Sequence, residues 1–123
     1  MRFPTLRRDG VFAALWTPTD ANGQLLEAEL AANLQWLVEK GVHGLLPLGS
    51  TGEFPHLEID LRKRVLELAV GNPGQLPVIA NISDVRPKLV AELGRFAREV
   101  GATAVAVLPP DFFPLAQADL VEF

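Results

Sequence analysis

The chain has 123 residues, 49% of them apolar and 21% charged, which fits one modest globular core and excludes a disordered or fibrous chain. The formal charge is −4, and the basic residues are scattered apart from Arg7-Arg8 and Arg62-Lys63-Arg64, so a nucleic-acid partner is not expected. There is no cysteine, which excludes a disulfide framework, a thiolate zinc site and a cysteine nucleophile, and His43 and His56 lack metal-ligand spacing, so neither metal nor cofactor is expected.

The N-terminal stretch MRFPTLRRDGVFAALWTP carries an apolar run too short and too proline-bounded for a signal peptide. No stretch approaches the ~18 apolar residues of a membrane span, and a cytoplasmic protein without membrane contact is expected. Residues 11–16 read as the first strand, near-continuously apolar as in strands buried on both faces. Leu26, Leu30, Leu34, Leu37 and Val38 then recur at helical spacing, and Gly41 follows as a helix stop. Trp16 and Trp36 read as packing residues.

Residues 44–48 form the second run, with His43 just before it, at the end of the sheet away from the later loops. The loop Gly49-Ser50-Thr51-Gly52 follows. Ser50 and Glu53 fit a capping box, so the loop can be a helix start alone, with His56 in the first turn. Leu61, Val65, Leu68 and Ala69 mark that helix, on which Arg62-Lys63-Arg64 reads as a solvated face. Gly71 and the turn Asn72-Pro73-Gly74 end it.

Residues 76–80 are the third run, and Leu89, Leu93, Phe96, Ala97 and Val100 give the cleanest helical stripe, stopped by Gly101. Residues 102–108 are the fourth run. After the loop PPDFFP a fourth helix starts at Leu115, with Leu120 and Phe123 as core positions. The order βαβαβαβ, at roughly 30 residues per unit, implies an α/β fold with a parallel sheet in a single domain, residues 1–123. The last helix stops without a cap and the outer strands offer open edges, so the chain reads as truncated.

In parallel α/β folds ligands bind at the carboxyl ends of strands. There Ser50 and Thr51 would meet Thr17-Pro18-Thr19, Asn81-Ile82-Ser83-Asp84 and Pro109-Pro110-Asp111 around one pocket. Amides and hydroxyls at such a loop suit a carboxylate or phosphate. GSTGE lacks the lysine and longer glycine loop of a P-loop, which argues against an open flavodoxin-like phosphate site. Each loop also has a structural reading: Thr17 as a strand stop, Ser83 or Asp84 as a helix cap, Asp111 as a turn residue. Lys40, Lys63 and Lys88 fall on helices, away from strand ends, so none suits an amine nucleophile.

In order along the chain, GVFAALWTPTD, LAANLQWLVEKGVHGLLPLGSTGEFPHL, RKRVLELAVG, PVIAN and GATAVAVLPPDFFPL resemble the N-terminal part of the dihydrodipicolinate synthase and N-acetylneuraminate lyase family. The resemblance runs from about Gly10 to Phe123, and the GSTGE loop is its most specific part. It implies strands one to four of a (β/α)8 barrel, from a class I aldolase or lyase that forms a Schiff base with pyruvate or a related α-keto acid. Family enzymes commonly form homodimers or homotetramers. Carried onto this chain, Thr51 would hold the keto-acid carboxylate, Ser50 would join a catalytic proton relay, and Gly49 and Gly52 would let the backbone approach. Thr17 is read as lining the pocket, and Phe112 and Phe113 as either lining it or anchoring the fourth helix.

Two departures bear on activity. The place of the family's catalytic tyrosine reads Pro110-Asp111-Phe112-Phe113, and the chain has no tyrosine. The Schiff-base lysine belongs to a sixth strand outside this sequence, so the chain alone is expected to be inactive. The alternative is a non-catalytic half-barrel that self-associates or binds a small carboxylate.

Overall fold

Each apolar run contributes one short strand to the computed structural model, which describes residues 9–110 and 114–123. Expectations for Arg7, Arg8, Asp111, Phe112 and Phe113 lie outside the described residues. The strands are β1 (Phe12–Ala14), β2 (Gly44–Leu46), β3 (Ile79–Asn81) and β4 (Ala104–Ala106). β1 pairs with β2 and β3 with β4, both parallel, in the register Ala14↔Leu46 and Ile79↔Ala104. The two pairs are joined by a parallel bridge, Leu45↔Val78, with the Leu45 amide 2.9 Å from the Pro77 carbonyl oxygen. The strands therefore lie in the order β1-β2-β3-β4.

β3 begins later than residues 76–80 suggest. The Asn72 side chain holds Leu76 in the preceding turn: its Oδ1 accepts from the Leu76 amide at 2.8 Å and its Nδ2 donates to the Leu76 carbonyl at 3.1 Å. Pro77, next in line, has no amide to give to a neighbouring strand.

Helices α1 (Glu27–Glu39), α2 (Ile59–Val70), α3 (Pro87–Val100) and α4 (Gln117–Glu122) follow the strands. The first three turn the expected stripes inward: Leu30, Leu34 and Leu37, then Val65 and Ala69, then Leu93 and Ala97, all packed with Leu15, Leu45, Leu48, Val78, Ala80 and Ile82. Gly41 and Gly101 stop their helices with φ of 74° and 94°. Gly71 does not, at φ −75°. There the Asn72 amide donates to the Ala69 carbonyl at 2.9 Å and closes α2 with a side chain instead.

Helices cover one face of the sheet, so burial on both faces is not realised. Ala14 is exposed on the other face, and Leu46, Ile79, Ala104 and Ala106 are only half-buried. Trp16 and Trp36 are 46% and 54% exposed and do not serve as core residues. Trp36 instead lies under the Lys40 ammonium, 5.7 Å from its ring centre. The last helix begins at Gln117, not Leu115, with the Asp119 carboxylate accepting from the Ala116 amide at 2.9 Å. Leu120 is exposed and Phe123 half-buried, so neither is a core residue. Among the described residues no helix is long and apolar enough to cross a membrane.

Candidate functional site

The loop after β2 is shaped before any helix begins. Leu48 is fully buried yet holds a left-handed backbone, φ 61°, which costs a non-glycine residue about 1–2 kcal/mol. Its carbonyl accepts a hydrogen bond from the Asn81 side-chain amide at the end of β3. Two overlapping turns follow: the Gly52 amide donates to Gly49 and the Glu53 amide to Ser50, each 3.0 Å from the carbonyl oxygen. Thr17, buried at the end of β1, donates its hydroxyl to the Gly52 carbonyl at 2.9 Å. A Cβ on Gly52 would lie 2.9 Å from the Leu15 carbonyl oxygen and 3.0 Å from the Leu48 nitrogen, so only glycine fits there.

The expected capping box is absent. The Glu53 amide is used by the Ser50 backbone carbonyl, and Glu53 itself is left-handed at φ 55°. A 3₁₀ turn, Phe54–His56, comes next, and α2 starts only after Glu58. His56 therefore ends that turn and does not sit in α2. The consequence for binding is direct: the first-turn amides of α2 are not part of the loop. What the loop does offer is local. Among the described residues the amides of Ser50 and Thr51 have no hydrogen-bond partner, and both side chains are exposed. Adjacent unpaired amides of this kind form an anion-binding concavity.

Ser50 borders a cavity of about 170 Å³ with Phe54, Pro55, Ser83, Asp84, Leu108 and Pro110 among its walls. The loops after β2, β3 and β4 thus converge at one end of the sheet. Thr17 stands behind Gly52, outside this wall, and acts as a brace for the loop and not as a lining residue. Thr51 and Gly49 flank Ser50 without contributing to the wall.

A polar network fixes this convergence. The Ser83 hydroxyl donates to Asn81 Oδ1 at 2.6 Å and accepts from the Leu108 amide at 2.7 Å, joining the loops after β3 and β4. Ser83 is therefore no helix cap. Asp84 accepts from the Arg86 amide at 2.9 Å just ahead of α3.

Beneath lies Arg62, only 2% exposed, so the expectation of a solvated basic face fails at its first member. Its Nη2 donates to the Ser83 carbonyl at 2.7 Å and its Nη1 to Asp84 at 3.1 Å. Its guanidinium lies 5.5 Å from the centre of the Phe54 ring. Lys63 and Arg64 are paired as well, with Glu92 at 2.6 Å and Glu27 at 2.7 Å.

Burial pulls the Arg62 pKa down and the Asp84 carboxylate pushes it back up. The Arg86 guanidinium, with Arg62 assisting, holds the Asp84 carboxyl below the ordinary range against an opposing effect of burial. Asp84 is thus an anion at neutral pH and complements Arg62. Among the described residues no three His, Asp or Glu side chains group as metal ligands. Lys40 and Lys88 are exposed on α1's end and α3's start, away from the cavity.

Sequence reasoning missed the burial of Arg62, and it placed Asn81 in a converging loop without seeing that its side chain holds Leu48. A signal for the first was present: Arg62, Val65, Leu66 and Ala69 follow the i, i+3, i+4, i+7 pattern of one buried face. Asn81 closes an otherwise apolar strand, where a buried amide needs partners.

A model of the dihydrodipicolinate synthetase family matches residues 7–123. The chain is 45% identical over 97 residues to a 4-hydroxy-tetrahydrodipicolinate synthase of Parvibaculum lavamentivorans, covering 78% of this chain and 33% of the relative. It is 38% identical over 114 residues to the enzyme of that name from Brucella abortus, covering 92% and 39%. In structure it resembles the E. coli K12 prophage protein YagE, solved with pyruvate, at 30% identity and a TM-score of 0.86 over 92% of this chain and 38% of that one. The chain thus spans well under half the length of these relatives.

Proposed function

The chain belongs to the dihydrodipicolinate synthetase family, and from that premise we propose that it forms the N-terminal, four-strand half of a (β/α)8 barrel in a Schiff-base-forming lyase. The substrate is pyruvate or a related α-keto acid, and the full protein works as a cytoplasmic homo-oligomer without metal or cofactor. The observation that carries this reading is the Gly49–Gly52 loop: two amides without a partner among the described residues and two exposed hydroxyl side chains, at the carboxyl end of β2.

In this reading the Thr51 amide and hydroxyl bind the carboxylate, with charge-assisted hydrogen bonds about twice as strong as neutral ones. Ser50, on the cavity wall, orients and passes a proton. Gly49 and Gly52 allow the substrate to approach the backbone, and Thr17 braces the loop from behind. The amine that attacks the keto carbon comes from a later segment of the protein, because Lys63 and Lys88 lie on helices and Lys40 caps the end of α1. Phe112 and Phe113 lack a hydroxyl, so neither supplies the proton. Without that later segment the chain binds but does not react. The test is borohydride reduction of the full-length protein with pyruvate: a covalent adduct supports the reading, and its absence with a lysine available opposes it.

A further inference from the structure

Three hydrogen bonds cross the carboxyl end of the sheet in one line. The Leu108 amide, after β4, donates to the Ser83 hydroxyl at 2.7 Å, and that hydroxyl donates to Asn81 Oδ1 at 2.6 Å. Asn81 Nδ2 then donates to the Leu48 carbonyl, just ahead of the Gly49–Gly52 loop. Asn81 and Ser83 are each 2% exposed, so bulk water does not replace a lost partner. The line has a direction. The Ser83 hydroxyl carries one proton, and with the Leu108 amide pointing at its oxygen that proton goes to Asn81. Oδ1 must therefore face Ser83, which turns Nδ2 toward the Leu48 carbonyl, a group that can only accept. The Asn81 backbone adds a second grip, its amide donating to the Pro47 carbonyl at 3.3 Å.

We propose that Asn81 is a positioning residue for the Ser50 and Thr51 amides, and that Ser83 fixes the orientation in which it acts. The inference rests on the reading of the loop as a carboxylate cradle and adds what sets the cradle's geometry. Peptide planes are rigid, so holding the Leu48 carbonyl also fixes the Gly49 nitrogen. Only the two backbone dihedrals of Gly49 then separate that plane from the next, which carries the Gly49 carbonyl and the Ser50 amide. The Gly52 amide holds this second plane from the far side, 3.0 Å from the Gly49 carbonyl oxygen. Leu48 is left-handed at φ 61°, so without its donor the strained peptide relaxes by rotating its carbonyl away. The amides of the cradle turn with it. Because the line begins at Leu108, the loop after β4 sets the cradle after β2.

Borohydride trapping of the full-length protein across a pyruvate titration tests this, with Asn81→Asp, Ser83→Ala and Thr51→Val. Asn81→Asp keeps the side chain's shape and loses its donor. The expected result is about 10-fold more pyruvate for half-maximal trapping with the trapped maximum unchanged, because the attacking amine is untouched. Ser83→Ala moves the requirement in the same direction and serves where Asn81→Asp does not fold, as checked by circular dichroism. Combining Asn81→Asp with Thr51→Val raises the requirement by less than the product of the two single effects, since both act on one cradle. A purely structural role would lower the melting temperature or the trapped maximum and leave the half-maximal concentration alone. If Thr51→Val raises the pyruvate requirement and neither Asn81→Asp nor Ser83→Ala does, the proposal is overturned and the cradle stands. Effects of Asn81→Asp and Thr51→Val that simply multiply overturn it as well. If Thr51→Val changes nothing, or no adduct forms, the cradle reading falls and the proposal with it.

Discussion

Replacing Arg62 by methionine probes the network under the site. The substitution keeps most of the stem's volume and removes two hydrogen bonds, to the Ser83 carbonyl at 2.7 Å and to Asp84 at 3.1 Å. The Asp84 side chain is 8% exposed, so it cannot recover full hydration. Breaking one side of a buried ion pair costs about 3–5 kcal/mol. Two features reduce that here. Arg86 still donates to Asp84 at 2.9 Å, and Arg62 Nε, buried without a partner among the described residues, disappears with the guanidinium. The expected loss is therefore about 2–4 kcal/mol, set mainly by the orphaned Ser83 carbonyl. At a urea m-value of about 1–1.5 kcal/mol/M, the midpoint falls by about 2 M. Urea titrations followed by circular dichroism measure this, at one fixed protein concentration because self-association shifts apparent stability. Adding Asp84→Asn removes the stranded charge, so the double variant loses less than the sum of the singles. A loss below about 0.5 kcal/mol, or simple additivity of the two changes, would refute the buried network and return Arg62 to an ordinary surface role.

Three further outcomes follow from the same contacts. Asn81→Ala leaves the Leu48 carbonyl without its donor beside a left-handed residue, costing about 1–3 kcal/mol and exposing residues 48–53 to faster amide exchange, readable by mass spectrometry. Gly52→Ala meets only backbone, so the loop must shift, costing about 1–3 kcal/mol by thermal melt; a loss near zero would contradict the packing against Leu15. Asp84 contributes stability that is complete above its unfolded pKa, about 3.9, and is lost as pH falls through its lowered folded value. Asp84→Asn should therefore flatten the acid limb of a stability-versus-pH curve; an unchanged limb would show that Asp84 is not held down.

The strand order and helical stripes were legible because each rests on local periodicity, and Leu30, Leu34, Leu93 and Ala97 are buried as that periodicity requires. The position of the loop at the carboxyl end of β2 was legible for the same reason. Its internal geometry was not. Ser50 and Glu53 have the spacing of a capping box, but Thr17, Asn81 and the space beside Leu15 pull the loop into turns that use the Glu53 amide first. Those partners are distant in sequence, so no local pattern encodes them. Arg62 misled for a related reason. A basic triplet on a helix is usually solvated, and here tertiary packing of Asp84 over the helix start decides otherwise. Trp16 and Trp36 show the opposite error, since large apolar side chains need a covering layer that this chain does not supply to them.

The claim that the Gly49–Gly52 loop cradles a keto-acid carboxylate is tested most directly by titrating pyruvate into borohydride trapping of the full-length protein and its Thr51→Val variant. Losing a charge-assisted hydrogen bond worth about 1.5–3 kcal/mol predicts that the variant needs roughly 10- to 100-fold more pyruvate for half-maximal trapping. Equal pyruvate requirements for the two proteins would contradict the claim and leave the loop a structural turn.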